Sequence, residues 1–139
     1  MERLEKNPYS WVRGVNYIPS YALILNDVMD YYDHDIIEKE LTLAHEAGFN
    51  SVRMWFSDIS YLRDPLRFLN NFEDLLCILN RYSMTIMPTL FNRFTDERYH
   101  FGQLDMTQVL RKLDSVKSQY IYSFLQAFGR DPTIIMWDL

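Results

Sequence analysis

Short β-rich runs alternate along the chain with longer segments whose apolar residues recur every three or four positions. That alternation is the signal of βα units and a parallel sheet. The first strand is expected over 11–18 (WVRGVNYI), closed by Pro19. A polar and aromatic connection through Asn26, Asp27, Tyr31 and Tyr32 leads to a helix over about 35–47. Ile37, Leu41, Ala44 and Gly48 mark its buried stripe, with Ile36, Leu43 and Ala47 widening it. Asp35 with Glu38 reads as a capping box, and Gly48 sits where a left-handed C-terminal cap belongs. The second strand covers 50–56 (NSVRMWF). Asp64-Pro65 then opens a second helix, because an N-cap followed by proline leaves no helical donor missing. Leu66, Leu69, Phe72, Leu76 and Leu79 define its buried face, and Cys77 reads as a small core residue among them.

The third strand is expected over 84–91 (MTIMPTLF), where Pro88 counts against a central position because it removes a ladder donor. A polar stretch from Asn92 to about Asp105 follows, longer than most connections in compact domains and therefore a candidate functional loop. A third helix runs over about 107–128, with Leu110, Leu113, Val116, Tyr120, Phe124 and Phe128 at helical spacing. Gly129 ends it, Asp131-Pro132 turns the chain, and TIIMWDL (133–139) reads as a fourth strand. Residues 1–10 form an N-terminal extension, and 11–139 give strand, helix, strand, helix, strand, helix, strand. Parallel sheets need cover on both faces, so a chain stopping in its most apolar strand reads as unfinished.

Composition narrows the function classes. The 139 residues are 48% hydrophobic and 24% charged, which excludes disorder as a description of the whole. The net charge of −5, with no cluster of Lys and Arg, argues against nucleic acid as a partner. Cys77 is the single cysteine, so neither an intrachain disulfide nor a multi-cysteine metal site can form. The N-terminal MERLEKNPYS lacks the apolar core of a signal peptide, and no long apolar run could span a membrane. A cytoplasmic chain with no membrane partner is the expectation. His34, His45 and His100 are too scattered to form a metal set, no glycine-rich loop follows a strand, and no Ser–His–Asp elbow is present. No cofactor or metal is expected.

In parallel α/β folds ligands bind at the carboxyl ends of the strands. Those ends carry Asn16, Tyr17, Pro19 and Ser20, then Arg53, Trp55, Ser57 and Asp58. Phe91, Asn92, Arg93 and Asp96 follow the third strand, and Trp137 and Asp138 belong to the fourth. Flat rings beside amide, guanidinium and carboxylate groups are what a carbohydrate site needs, the rings to stack on sugar faces and the polar groups to bind hydroxyls. Asp58 and Asp96 read as solvated loop acids.

RGVNYIPSYA (13–22), EAGFNSVRMWF (46–56), PTLFNR (88–93) and FGRDPTIIMWDL (128–139) together resemble the opening half of cellulase- or xylanase-like retaining glycoside hydrolases of the (β/α)8 superfamily. The resemblance spans nearly all of 11–139 in order and spacing. It implies the first four strands and three helices of a TIM barrel, a fold that needs about 250 residues when whole. It also implies a β-linked polysaccharide or oligosaccharide substrate. In close relatives the fourth strand runs on into Asn-Glu-Pro, whose Glu is the acid/base, and the nucleophile lies on strand seven. Both positions fall beyond Leu139, and retaining hydrolysis needs two carboxyl groups about 5 Å apart. The chain alone is therefore expected to be inactive, with no catalytic residue of its own. By resemblance Arg53 is a supporting residue that orients the nucleophile. Asn16, Tyr17, Trp55, Phe91, Asn92, Trp137 and Asp138 are the candidate substrate-binding residues, with Trp137 packing beneath the site and Asp138 positioning the acid. The expected partner of such a fragment is its missing C-terminal half; the alternative is a complete, non-catalytic half-barrel that pairs with a second copy and binds carbohydrate or a protein.

Overall fold

The computed structural model describes residues 7–90 and 117–138. Three parallel strands, β1 (Gly14–Asn16), β2 (Ser51–Trp55) and β3 (Thr85–Thr89), form a sheet in that order. Val15 is in register with Val52 and Val52 with Ile86, while Asn16 stands beside Arg53 and Arg53 beside Met87. Because side chains alternate along a strand, this register divides the sheet into two faces. Val52, Met54 and Ile86 face the helices and are buried, as is Phe56 just past β2. Gly14, Asn16, Arg53 and Met87 line the opposite face, which lies open. The first strand is shorter than its apolar run suggests. Trp11 and Ile18, at the run's two ends, are exposed and lie outside the ladder.

The helix layer contains more elements than the periodicity shows. Helix α1 (Asp27–Asp30) is a single turn, α2 spans His34–Glu46, α3 is Asp58–Arg63 and α4 is Pro65–Arg81. A π-helical turn (Lys117–Ile121) leads into α5 (Tyr122–Phe128), the described part of the expected third helix. Helix α2 is capped by Asp33 rather than Asp35, since the extended backbone at Asp33 lets its carboxylate accept from the Ile36 amide at 3.0 Å. At the other end Phe49 N–H bonds Ala44 carbonyl and Gly48 N–H bonds His45 carbonyl, the paired closure of a Schellman motif. Gly48 takes φ +93° to make it. Ser57 caps α3 by accepting from Ile59 N–H, and Asp58 in its first turn is buried, not the solvated loop acid expected. Asp64 caps α4 through the Arg67 amide at 3.1 Å, with Pro65 in the first turn as anticipated.

The buried face of α4 is Phe68, Phe72, Leu75, Leu76, Ile78 and Leu79. Leu66 is 71% exposed, and Cys77 is exposed rather than in the core. One step along a helix is a rotation of about 100°, which carries Cys77 off the stripe that Leu76 occupies. The core is built around rings: Phe72 lies 4.5 Å from Phe124, 5.2 Å from Phe56 and 5.0 Å from Phe128, centroid to centroid. Tyr61, Phe68 and Tyr120 continue the cluster in edge-on and tilted contacts.

The expected four-stranded sheet is corrected to three. Residues 133–138 run parallel to β3 but meet it only at two isolated bridges, Ile86 with Ile134 and Thr89 with Asp138. Between those bridges β3 advances from 86 to 89 while the terminal segment advances from 134 to 138, so the latter holds one extra residue. The physical reason is Pro88. Its carbonyl accepts from Asp138 N–H at 3.0 Å, so its nitrogen also faces the terminal segment, where it has no hydrogen to give. The ladder loses a rung there, and the segment bulges. The bulge resets the alternation: Ile135 and Met136 both line the open face, Trp137 turns to the core, and Asp138 returns to the open face.

Helices α2 and α4 are tied by a polar cluster. Tyr32 hydroxyl donates to Asp74 Oδ2 at 2.7 Å, and His34 Nδ1 meets the same oxygen at 2.7 Å. His34 Nε2 lies 3.6 Å from Glu38, which also pairs with Arg81. The hydrogen bond to Asp74 raises the His34 pKa above its ordinary value. A raised folded pKa contributes stability that is complete below the unfolded value of about 6.5 and is lost as pH climbs through the folded value. In urea unfolding, the stability advantage of wild type over His34→Gln should therefore shrink as pH rises above about 6.5. Asp74→Asn should flatten that dependence. Gly48→Ala tests the helix terminus separately. A Cβ at Gly48 meets nothing within 4 Å, so only the backbone strain of a left-handed residue is added, an expected loss of about 1–2 kcal/mol in urea unfolding.

Candidate functional site

The site is assembled where β2, β3 and the terminal segment end on the open face. Arg53 projects from β2, and its Nε donates to Thr89 Oγ1 at 3.1 Å and to Asp138 Oδ2 at 3.0 Å. Arg53 Nη2 donates to the same carboxylate oxygen, and the Thr89 hydroxyl, having accepted from Arg53, donates to it at 2.8 Å. Three donors thus converge on one oxygen of Asp138. The Arg53 guanidinium also lies over the Trp55 ring, 4.6 Å from its centroid, in cation–π geometry. Asn16 is the in-register neighbour of Arg53 on β1. Beneath this rim a concavity of about 400 Å³ runs along the open face between Tyr9, Asn16, Arg53, Met87 and Met136.

The electrostatics follow from that geometry. The Arg53 hydrogen bonds, and then that of Thr89, hold the Asp138 carboxyl below the usual carboxylate range. At neutral pH Asp138 is an anion already committed to Arg53 and Thr89, so it has no proton to deliver as a general acid. The side chains of Arg53 and Asp138 remain 34% and 31% exposed, so the pair is open to a ligand. Fixed donors, an amide and an indole face on one surface suit recognition of hydroxyl groups. They do not make an acid/base pair. Among the described residues no group of three His, Cys, Asp or Glu could hold a metal ion, and no helix is long and apolar enough to cross a membrane.

Of the residues singled out from sequence, Asn16, Arg53, Trp55 and Asp138 share the open face. Tyr17 is turned to the other side, where its hydroxyl donates to Glu40 Oε2 of α2 at 2.8 Å. That bond and burial together push the Tyr17 hydroxyl pKa far up, with burial the larger cause. The amide of Ser20 also reaches the Glu40 carboxylate, so this pair fastens the loop after β1 to α2. Trp137 packs edge-on against Phe124 at 5.6 Å, in the core. Phe91 and Asn92, like Arg93, Asp96 and His100, lie outside the described residues. Thr89 was not anticipated. Its signal is parity: Trp55 and Thr89 are register partners, so Thr89 shares the face of Arg53.

A depressed carboxylate pKa stabilises the fold above the unfolded value of about 3.9, and that contribution is lost as pH falls through the folded value. Carbon-detected titration of Asp138 should give a midpoint below the ordinary aspartate range. Arg53→Gln should move it upward strongly and Thr89→Val less so. Because Thr89 is buried, Thr89→Val should also cost about 1 kcal/mol in urea unfolding.

No protein-family model and no curated protein sequence matches the chain. A solved structure does: the exo-β-1,4-mannosidase Op5Man5 from Opitutaceae bacterium strain TAV5, at a TM-score of 0.61 and 20% sequence identity. The alignment covers 83% of this chain and 22% of that one. The neighbour is a TIM-barrel glycoside hydrolase, and at this identity the likeness is one of fold. It does not single out the cellulases or xylanases. The chain is an α/β unit whose three parallel strands and flanking helices resemble part of such a barrel.

Proposed function

We propose that this chain is the opening portion of a glycoside hydrolase barrel acting on β-linked polysaccharides or oligosaccharides, with the catalytic pair of glutamates supplied beyond Leu139. The observation that carries the reading is the Arg53–Asp138–Thr89 network, stacked on Trp55 at the strand ends of a chain whose fold matches a β-mannosidase. In a barrel the open face becomes the lumen and the strand ends become the rim, where substrates bind. Arg53 and Asn16 then offer donors to sugar hydroxyls, and Trp55 offers a ring face. Asp138, ionised and bonded, holds the guanidinium in place and leaves proton transfer to groups outside this chain. The β-mannosidase likeness makes β-mannosides the first substrates to try.

A second reading rests on the same open face. Its concavity of about 400 Å³ is lined by Tyr9, Met87 and Met136 as well as by polar groups, an apolar surface that a second copy of the chain could cover. Light scattering separates the two, because a stable dimer that binds sugar supports the second reading and a monomer supports the first.

The direct test of a sugar site is an NMR titration of the chain with mannobiose and with cellobiose. At least one should shift the Trp55 indole N–H and the Arg53 Nε–H, and Arg53→Ala should abolish the response. Hydrolysis of aryl β-glycosides by the chain alone should be undetectable. Silence of both probes at Arg53 and Trp55 removes the sugar-site reading.

A further inference from the structure

Among the described residues, Arg53 is the one charged side chain that lines the open-face concavity of about 400 Å³. A guanidinium in such a place is a ready seat for a ligand carboxylate or phosphate, which it grips through paired donors. In this chain the seat is taken. Nε and Nη2, the edge that a ligand carboxylate would grip, both donate to Asp138 Oδ2, and the charges of the pair sum to zero. The Thr89 hydroxyl completes the arrangement, donating to the same oxygen at 2.8 Å. Arg53 from β2 and Thr89 from β3 are the groups that face the carboxylate, and no other ion pair engages it among the described residues.

The terminal segment has anchors other than this carboxylate. Asp138 N–H bonds Pro88 carbonyl at 3.0 Å, Leu90 N–H bonds Asp138 carbonyl at 2.9 Å, and Trp137 packs against Phe124. Nor is the carboxylate used symmetrically. Oδ1 accepts nothing from the described residues, so it stays open as an acceptor beside the guanidinium. A ligand hydroxyl can donate to Oδ1, whereas a ligand anion meets a fixed like charge where its own would go. Selective sites combine an attraction for one ligand with a repulsion of its rival in this way. We propose that Asp138 is a specificity-determining residue, a built-in anion that bars carboxylate and phosphate ligands from Arg53 and reserves the surface for uncharged hydroxyl compounds. For the identity of the neutral ligand the proposal rests on the sugar-site reading; the exclusion of anions does not depend on it.

The test is an NMR titration of the chain that follows the Arg53 Nε–H. Its probes are sodium acetate and a matched pair, methyl β-D-mannopyranoside and methyl β-D-mannopyranosiduronate, which differ by the carboxylate alone. In wild type the neutral glycoside should shift the signal, while acetate and the uronate leave it in place. Asp138→Asn keeps the shape and an acceptor but removes the charge. It should strengthen acetate and uronate binding about tenfold, the worth of one charge-assisted hydrogen bond, and added salt should reverse the gain. Acid should act on wild type as the substitution does: sulfate, still an anion, should begin to move the Arg53 signal as pH falls and Asp138 takes up its proton. Acetate or the uronate binding wild type at Arg53 as well as the neutral glycoside overturns the proposal, and so does a folded Asp138→Asn chain that ignores acetate. Should that variant fail to fold, the acid arm decides: a wild-type signal indifferent to sulfate across the Asp138 titration overturns it. Silence of wild type toward the neutral glycoside, with acetate captured by Asp138→Asn, removes the sugar site and leaves the exclusion of anions standing.

Discussion

Parallel pairing of β2 with β3 in one register is the constraint on which the rest of this structure depends. It sends Val52, Met54 and Ile86 into the ring cluster around Phe72, and Ser51, Arg53, Trp55 and Thr89 to the opposite face. A slip of one residue would exchange the two sets. Arg53 would then enter an interior of phenylalanine rings, where an unpaired charge is very costly, and Met54 would face the open side. The apolar core and the polar site therefore specify each other. Neither can move by one position without destroying both.

The terminal segment joins this scheme through an irregularity. With regular pairing after the Ile86–Ile134 bridge, Trp137 would share the open face with Thr89, and Asp138 would point into the core. Pro88 has no N–H to hold that pairing, and the added residue reverses the outcome. Trp137 reaches Phe124, and Asp138 reaches Arg53 and Thr89. One missing donor thus separates a hydrophobic demand from an electrostatic one that regular alternation would set against each other. The irregular fourth segment is what makes the site possible, although it removes a strand from the sheet.

Features written in local chemistry were legible in the sequence. Asp64-Pro65 starts α4 and Gly48 ends α2, because an N-cap with proline and a left-handed glycine act within a few residues. Strands β2 and β3 were located because their apolar residues are dense and bounded by turns. Features set by tertiary contact were not legible. Helices α1 and α3 are too short to show a period, and α3 is held by Ser57 and by burial of Tyr61 and Ser60. The face of α4 was misjudged where leucines lie close together, because Leu66 and Leu76 look equivalent until the sheet chooses a side. Of the strand-end aromatics read as candidate sugar-binding residues, the described ones divide: Tyr17 and Trp137 pack against the core, and Trp55 joins Arg53 on the open face. Arg53 stood out through its place at the end of the second strand and through the family resemblance. Thr89 did not, because an uncharged hydroxyl at a strand end has no such contrast.

The Arg53–Asp138 pair also bears on the kind of ligand this surface can hold. A lone arginine at strand ends would attract phosphate or carboxylate, since guanidinium recognises both through paired donors. Here Asp138 already occupies two of those donors and cancels the charge, and its lowered pKa keeps it ionised under ordinary conditions. An anionic ligand would have to displace the carboxylate or lie beside it, and either is unfavourable at partly exposed separations where like charges still repel. What remains available is a set of directed donors with no net charge, next to the Trp55 indole. On the proposed sugar-site reading, such a surface would discriminate by hydroxyl geometry rather than by charge and would take a neutral sugar before an acidic one.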